Sequence, residues 1–261
     1  MSLQSDLSER MERATTDLFW VPRDVDVIDR EDLVALSKPG AEGYLNVACR
    51  LRRPASELPA LVAEVSRFHR GEHSRVQVCD TIQAQPLDAA LTEYRYAPTH
   101  THDARVVAVT EFVPRSVSAV TVRRVVDEQT LRDAWAVIAA GFERPVTGSA
   151  QELKQELTAC ASPTGRVQRF VAYLNGEPVS SGGLSLHPEL SFGFLWAGCT
   201  VPAARGRGAY SAIVAERVRC ALQLGAEFVG SYARQNTSSP LLAAQGFAVV
   251  GQMTYWHRIS S

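Results

Sequence analysis

The sequence predicts an α+β fold in which a mixed β-sheet is flanked by helices. Three observations carry this reading. Short runs alternate apolar and polar residues, while longer runs repeat apolar residues at three and four. The order of these runs in the C-terminal half lacks the strict strand–helix alternation of a doubly wound sheet. A glycine-rich turn, Arg205-Gly206-Arg207-Gly208, joins a strand-like run to a helix-like one.

Taken in order, the N-terminal part is an α/β unit. "YLNVACRL", "SRVQVCDT" and "ARVVAVTEF" read as strands, and "ASELPALVAEVSRFHR" and "PLDAALTEYRY" as helices. Pro114 and the serines of "EFVPRSVSA" interrupt two apolar runs, which predicts a division into domains 1–115 and 116–261. Val120 and Val122 mark the first strand of the second domain. Asp127 is placed to cap a helix whose Leu131, Ala134, Trp135, Ile138 and Phe142 share a face. A second helix fits "SAQELKQELTAC". Asn175-Gly176 between "RFVAYL" and "PVSSGGLSL" predicts a hairpin, because this pair tolerates the positive φ of a tight primed turn. A strand from about Ser191 to Val201 leads into the glycine-rich turn. The helix after it presents Ile213, Val214, Val218, Ala221 and Leu222, and closes at Gly225. "AEFVGSYA" is the next strand. Asn236 to Ser239 supply capping groups, with Pro240 near the first helical turn. "FAVVG" and "MTYWHR" read as two final strands.

Composition narrows the function classes. With 261 residues, 46% hydrophobic, 21% charged and a net charge of -1, the chain reads as a globular protein. This balance gives no reason to expect a nucleic-acid or anionic-membrane partner. No apolar run reaches the roughly 18 residues of a membrane span, and the N-terminus lacks the apolar core of a secretory signal. Cys49, Cys79, Cys160, Cys199 and Cys220 are odd in number and widely spaced, which favours reduced thiols and a cytoplasmic location. The pair His100 and His102 of "HTHD" has metal-ligand spacing, but no third ligand accompanies it, so no metal is expected.

The turn is the most informative stretch. Backbone amides at a helix start form an anion site, and glycine removes the Cβ that would hold a phosphate away. Arg205 and Arg207 add charge, and hydrogen bonds to charged groups contribute roughly 1.5–3 kcal/mol each. A phosphate or pyrophosphate is the natural ligand; a tight turn with solvated arginines is the alternative. The Walker loop is excluded for want of its lysine. The Rossmann fingerprint is excluded because Ser211 stands where a third glycine or alanine is needed.

The segment from Ser118 to Arg258 resembles the GNAT superfamily of acetyl-CoA-dependent N-acyltransferases. The resemblance rests on "TVP" followed by Arg205-Gly206-Arg207-Gly208-Ala209-Tyr210, on Asn236, and on Gly246-Phe247. It implies acetyl-CoA as co-substrate, with the pyrophosphate on the amides from Arg205 to Tyr210 and the pantetheine along Cys199, Thr200 and Val201. It further implies that the Val201 amide polarises the acetyl carbonyl and that Asn236 contacts the cofactor arm. The acceptor would be an amine on a small molecule or a protein, and the chain a monomer or homodimer. Residues 1–115 more weakly resemble the degenerate N-terminal half of tandem members, which implies no second active site.

Three departures from the family pattern qualify the expectation. Tyr210 stands where the turn should end in glycine or alanine. Leu242 replaces the usual acid tyrosine, leaving Tyr232 as a substitute whose other reading is a half-buried strand residue. The strand before "TVP" has no glutamate, so Glu143, His187 and Glu189 are the nearest candidate bases. The two functional readings are therefore an N-acetyltransferase and an acyl-CoA-binding sensor without chemistry. "GFERPVTGS" and Tyr255-Trp256-His257 are candidate acceptor-pocket segments.

Overall fold

The computed structural model describes residues 2–41, 43–80, 84–115, 119–143 and 149–258. In chain order the elements are α1 (Leu3–Thr15), β1 (Asp26–Arg30), β2 (Leu33–Ser37), β3 (Val47–Cys49), α2 (Leu58–Phe68), β4 (Arg75–Cys79), α3 (Ala84–Glu93) and β5 (Tyr96–Ala108). They continue with β6 (Val120–Arg124), α4 (Glu128–Gly141), α5 (Ala150–Ala161), β7 (Val167–Leu174), β8 (Glu177–His187), β9 (Phe192–Thr200), α6 (Ala209–Gln223), β10 (Phe228–Arg234), α7 (Ser238–Ala243) and β11 (Ala248–Arg258). No helix among the described residues is long and apolar enough to cross a membrane.

The chain forms two compact units. One comprises Met1–Ala104, Tyr232–Ser239 and Val249–Ser261, and the other Arg105–Ser231 and Pro240–Ala248. The sequence reading cut the chain once, at 115/116; here the last strand instead returns to the N-terminal unit, so neither unit is contiguous. Residues 116–118 of that boundary lie outside the described residues.

In the first unit the strand order is β1-β2-β3-β4-β11-β5. β3 and β4 are parallel, while β1–β2, β2–β3 and β4–β11 are antiparallel. One core joins Leu33, Ala35, Ala48, Val76 and Val78 with Leu61, Val62 and Val65 of α2, Leu87 and Leu91 of α3, and Trp256. Three elements go beyond the sequence reading. α1 is capped by the Ser2 hydroxyl and buries Leu7, Met11 and Ala14. Edge strand β1 is mostly exposed, with Arg30 held by Glu64 at 2.7 Å, a charged edge that discourages further pairing. β2 is buried throughout. The two expected final strands are one, β11. Its Gly251 lies where a Cβ would be 3.0 Å from Ser8 Oγ and 3.1 Å from Asp80 Oδ1, so the glycine admits a close neighbour without breaking the strand.

In the second unit the order is β10-β9-β8-β7-β6. All pairs there are antiparallel except β9–β10, which makes the sheet mixed. The expected local signals are present. Asp127 and Ser149 each close a capping box, and Asn175 (φ 54°) and Gly176 (φ 87°) turn the β7–β8 hairpin. Leu131, Ala134 and Leu153 of α4 and α5 pack on Val171 and Tyr173. Consecutive residues of β9 show which helix lies on which face: Cys199 contacts α4, whereas Gly198 lies against Tyr210 and Arg217 of α6. Neighbouring strand residues point to opposite faces, so α4 and α6 cover the sheet from two sides.

Candidate functional site

The site begins where β9 loses a partner. Its parallel ladder with β10 covers Phe228↔Phe192, Val229↔Gly193 and Gly230↔Phe194. Just beyond, the Ser231 hydroxyl donates to Leu195 O at 2.9 Å. From Trp196 to Thr200, β9 keeps β8 on one edge but has no ladder partner on the other among the described residues of this unit. That stretch also carries a bulge. Gly183 faces Trp196 and Ser181 faces Cys199, so three steps on β9 oppose two on β8, and Ala197 takes up the extra residue at φ 48°.

Register decides which amides are available. Val201 N–H donates to Val179 O at 2.9 Å, and Cys199 faces Ser181 in the same phase. Antiparallel pairing alternates, so the backbone of Thr200 points away from β8, toward the unpaired edge. Of the residues expected along the pantetheine, Cys199 and Val201 thus have their backbones in the β8 ladder, where the Val201 amide is bonded to Val179 O. The Cys199 side chain is turned into the α4 contact, its Sγ 3.7 Å from Val137 O. Thr200 Oγ1 lies 2.9 Å from Ser180 Oγ.

The turn that follows has the shape of an anion cradle. Gly206 (φ 76°) and Gly208 (φ 82°, ψ −3°) are both left-handed, and Gly208 is the N-cap of α6 without a side-chain cap. The first intrahelical bond is Ala212 N–H to Gly208 O at 3.0 Å. The amides of Ala209, Tyr210 and Ser211 therefore have no intrahelical acceptor. A Cβ on Gly206 would meet nothing within 4 Å, so the space in front of the turn is open. Arg205 folds back as a brace, its Nε 3.4 Å from Thr200 O and its Nη2 3.4 Å from Gly141 O. Arg207 is exposed.

Tyr210 points inward. Its ring edge would lie 3.1 Å from a Cβ on Gly198, and its phenol lies close enough to the Arg217 guanidinium for the two to interact electrostatically. Burial raises the phenol's pKa, an effect that Arg217 partly opposes. The departure from glycine is thus accommodated: the side chain leaves the cradle, and only its backbone remains there. Arg217 is 1% exposed and was missed from sequence. It donates to Gly183 O at 3.2 Å and Ile213 O at 3.3 Å, and burial lowers its pKa. Gly182 and Gly198 make room, since a Cβ would come within 2.8 Å and 3.3 Å of the guanidinium. Gly182, in the run of small residues of β8, is the sequence signal for this buried side chain.

The candidate bases separate by position. His187 pairs with Phe192 at the start of β9, about 25 Å along the strand from Thr200, and Glu189 lies just beyond, 3.8 Å from Arg166. Both are removed from the turn. Glu143 stays near it, two residues after Gly141, where a Cβ would touch Cys199 Sγ at 2.8 Å. Residues 144–148 of the proposed acceptor segment lie outside the described residues. Leu242 is fully buried and apolar.

Tyr232 and Asn236 belong to the other unit. Tyr232 Oη lies 3.8 Å from Cys79 Sγ; burial first, and Cys79 second, raise its pKa well above the usual phenol value. Asn236 is exposed in the turn between β10 and α7, beside Gln235, which donates to Asp103 at 3.0 Å.

Compared by sequence, no family model and no curated protein matches the chain. Compared by structure, similar folds are plain. A GCN5-related N-acetyltransferase from Kribbella flavida superposes with a TM-score of 0.72 at 11% identity, covering 100% of this chain and 97% of that one. One from Sphaerobacter thermophilus gives 0.62 at 14% identity, covering 98% and 93%. A tandem GNAT protein from the clavulanic acid biosynthesis pathway gives 0.56 at 13% identity, covering 99% and 95%. With its mixed sheet, its half-paired β9 and its glycine turn, the chain has the fold of the GNAT acetyltransferases.

Proposed function

We propose that the protein transfers an acetyl group from acetyl-CoA to an amine. The observation that carries this reading is the unpaired edge of β9 running straight into the two left-handed glycines at the start of α6. A pyrophosphate needs close backbone approach and aligned donors, and the amides of Ala209, Tyr210 and Ser211 supply both. Arg207 adds charge at the rim. Thr200, whose backbone faces the unpaired edge, is placed to pair with an extended amide-bearing arm. Gly198, two residues earlier, is the corresponding candidate to polarise a carbonyl.

Acetyl-CoA would supply a thioester open to attack by an amine. The chain's own task is then to orient the amine, take its proton and return one to the sulfur. Glu143 is the candidate to receive the first proton, directly or through water. The sequence's candidate for the second, Tyr232, belongs to the other unit, where burial raises its pKa and keeps the phenol protonated. Buried Leu242 favours the sensor as a second reading, because no hydroxyl stands at that position.

Calorimetry with acetyl-CoA and thiol release against a panel of amines test both. Binding at one molecule per chain with turnover supports the transferase, and binding without turnover supports the sensor. No heat at millimolar acetyl-CoA overturns both.

A further inference from the structure

Four of the chain's six histidines, at 73, 100, 102 and 257, gather on one sheet face of the first unit, which includes the Tyr255-Trp256-His257 segment offered by the sequence as part of an acceptor pocket. β4 and β11 pair there with Tyr255 opposite Gln77 and His257 opposite Arg75. The Arg75 guanidinium lies over the Tyr255 ring, 5.0 Å from its centroid. His102, on β5, meets the same ring edge-on at 5.0 Å, and His100 shares its face of the strand. His73 stacks edge-on with His257 at 6.0 Å. Arg234 is close enough to act electrostatically on both His102 and His257. The opposite face of the same strands, with Val76, Val78 and Trp256, is core.

We infer that this face is a binding site for an oxyanion, a carboxylate or a phosphate, on a small molecule. Two independent observations point to a ligand. First, positive and potentially positive groups converge without a counter-charge. Among the described residues neither Arg75 nor Arg234 has an ion pair, although the exposed Arg30, Arg70, Arg132 and Arg219 are each paired. Second, buried polar nitrogens are left over. His102 is 8% exposed, yet its Nδ1 has no hydrogen-bond partner, and neither does the buried Nε of Arg75. Folded proteins rarely leave such groups unmatched, because the water they lost is not replaced. An oxyanion satisfies both conditions at once. It accepts from Arg75 and His102, with Tyr255 as a flat wall and Gln77 as a neutral donor beside it. Burial, followed by Arg234, depresses His102 to a pKa of about 4, against an opposing hydrogen bond to the His100 backbone and with His100 and Arg75 adding to the lowering. A bound anion would raise that value, so binding would take up protons in mildly acidic solution.

The test uses the intact chain and follows histidine ring resonances during titration with inorganic phosphate or acetate, with chloride as the ionic-strength control. The expected result is a saturable shift of His102 and His257, absent with chloride, at millimolar affinity or better, together with a rise in the His102 pKa. The stronger of the two probes identifies the ligand class. Arg75→Gln should weaken the effect at least tenfold, in keeping with charge-assisted bonds. Should Arg75→Gln fail to fold, exposed Arg234→Gln should still weaken it severalfold. Gly208→Val, in the other unit, should leave it unchanged, which separates this site from the acetyl-CoA turn. No saturable shift with either probe, or a shift that chloride reproduces, overturns the inference.

Discussion

Replacing Gly208 with valine puts the anion cradle to its most direct test. Gly208 sits at φ 82° and ψ −3° and is the N-cap of α6. The left-handed region costs an ordinary L-residue about 1–2 kcal/mol. A β-branched side chain is a stronger outlier there, so about 2–3 kcal/mol is expected. The variant can keep the turn and bear the strain, or relax it and misalign the amides of Ala209, Tyr210 and Ser211. If it keeps the turn, the melting temperature falls by several degrees. If it relaxes, restoring the turn on binding costs the same free energy, and about 2 kcal/mol corresponds to a roughly thirtyfold loss of acetyl-CoA affinity. Gly206→Ala separates strain from steric block, because φ is 76° but its Cβ would meet nothing within 4 Å. It should lose affinity by about fivefold, and by no more than about thirtyfold. Titration calorimetry with acetyl-CoA and thermal unfolding read both effects. Wild-type affinity in Gly208→Val, with an unchanged circular dichroism spectrum and melting temperature, would refute the assignment of the turn as the anion site.

Further outcomes follow from the same geometry. Arg217→Ala removes a fully buried guanidinium, its bonds to the Gly183 and Ile213 carbonyls and its electrostatic support of the Tyr210 phenol. A loss of about 2–4 kcal/mol in urea unfolding is expected, and an unchanged midpoint would contradict its bracing role. Tyr232→Phe should lower kcat at least about tenfold while acetyl-CoA affinity stays put, since only a transition-state contact is removed. Equal kcat would remove Tyr232 from the mechanism. His69, His102 and His257 all have pKa values lowered chiefly by burial, that of His102 to about 4. The unfolded chain then binds more protons below about pH 6.5, so stability falls as pH drops from there toward about 4. With solvent screening allowed for, His102 contributes about 1–2 kcal/mol of that loss. Urea midpoints compared between wild type and His102→Asn check it, and equal slopes would assign the effect elsewhere.

The sequence by itself determined what depends on near neighbours. Asp127 and Ser149 cap their helices within three residues, Asn175-Gly176 sets its own turn, and Gly206 and Gly208 carry their left-handed φ values wherever the chain takes them. The α+β order and the position of the glycine turn before α6 followed from such signals. Weak local patterns hid the rest: charged β1, and α1 among charges of both signs.

Tertiary structure decided which backbone groups face outward. Val201 and Thr200 are adjacent in sequence, yet the register with β8 commits the Val201 amide and leaves that of Thr200 toward the open edge. The bulge at Ala197 adds one residue to β9 and so sets the phase of everything after it. The same holds for side chains. Tyr210 looked like an obstruction in the cradle until Gly198 and Arg217 gave its ring a place beneath β9. The histidines at 73, 100, 102 and 257 come from three distant segments, and only the pairing of β4, β11 and β5 puts them on one face. A residue's type fixes its chemistry, but the direction it points is set by a strand partner that lies far away in the chain.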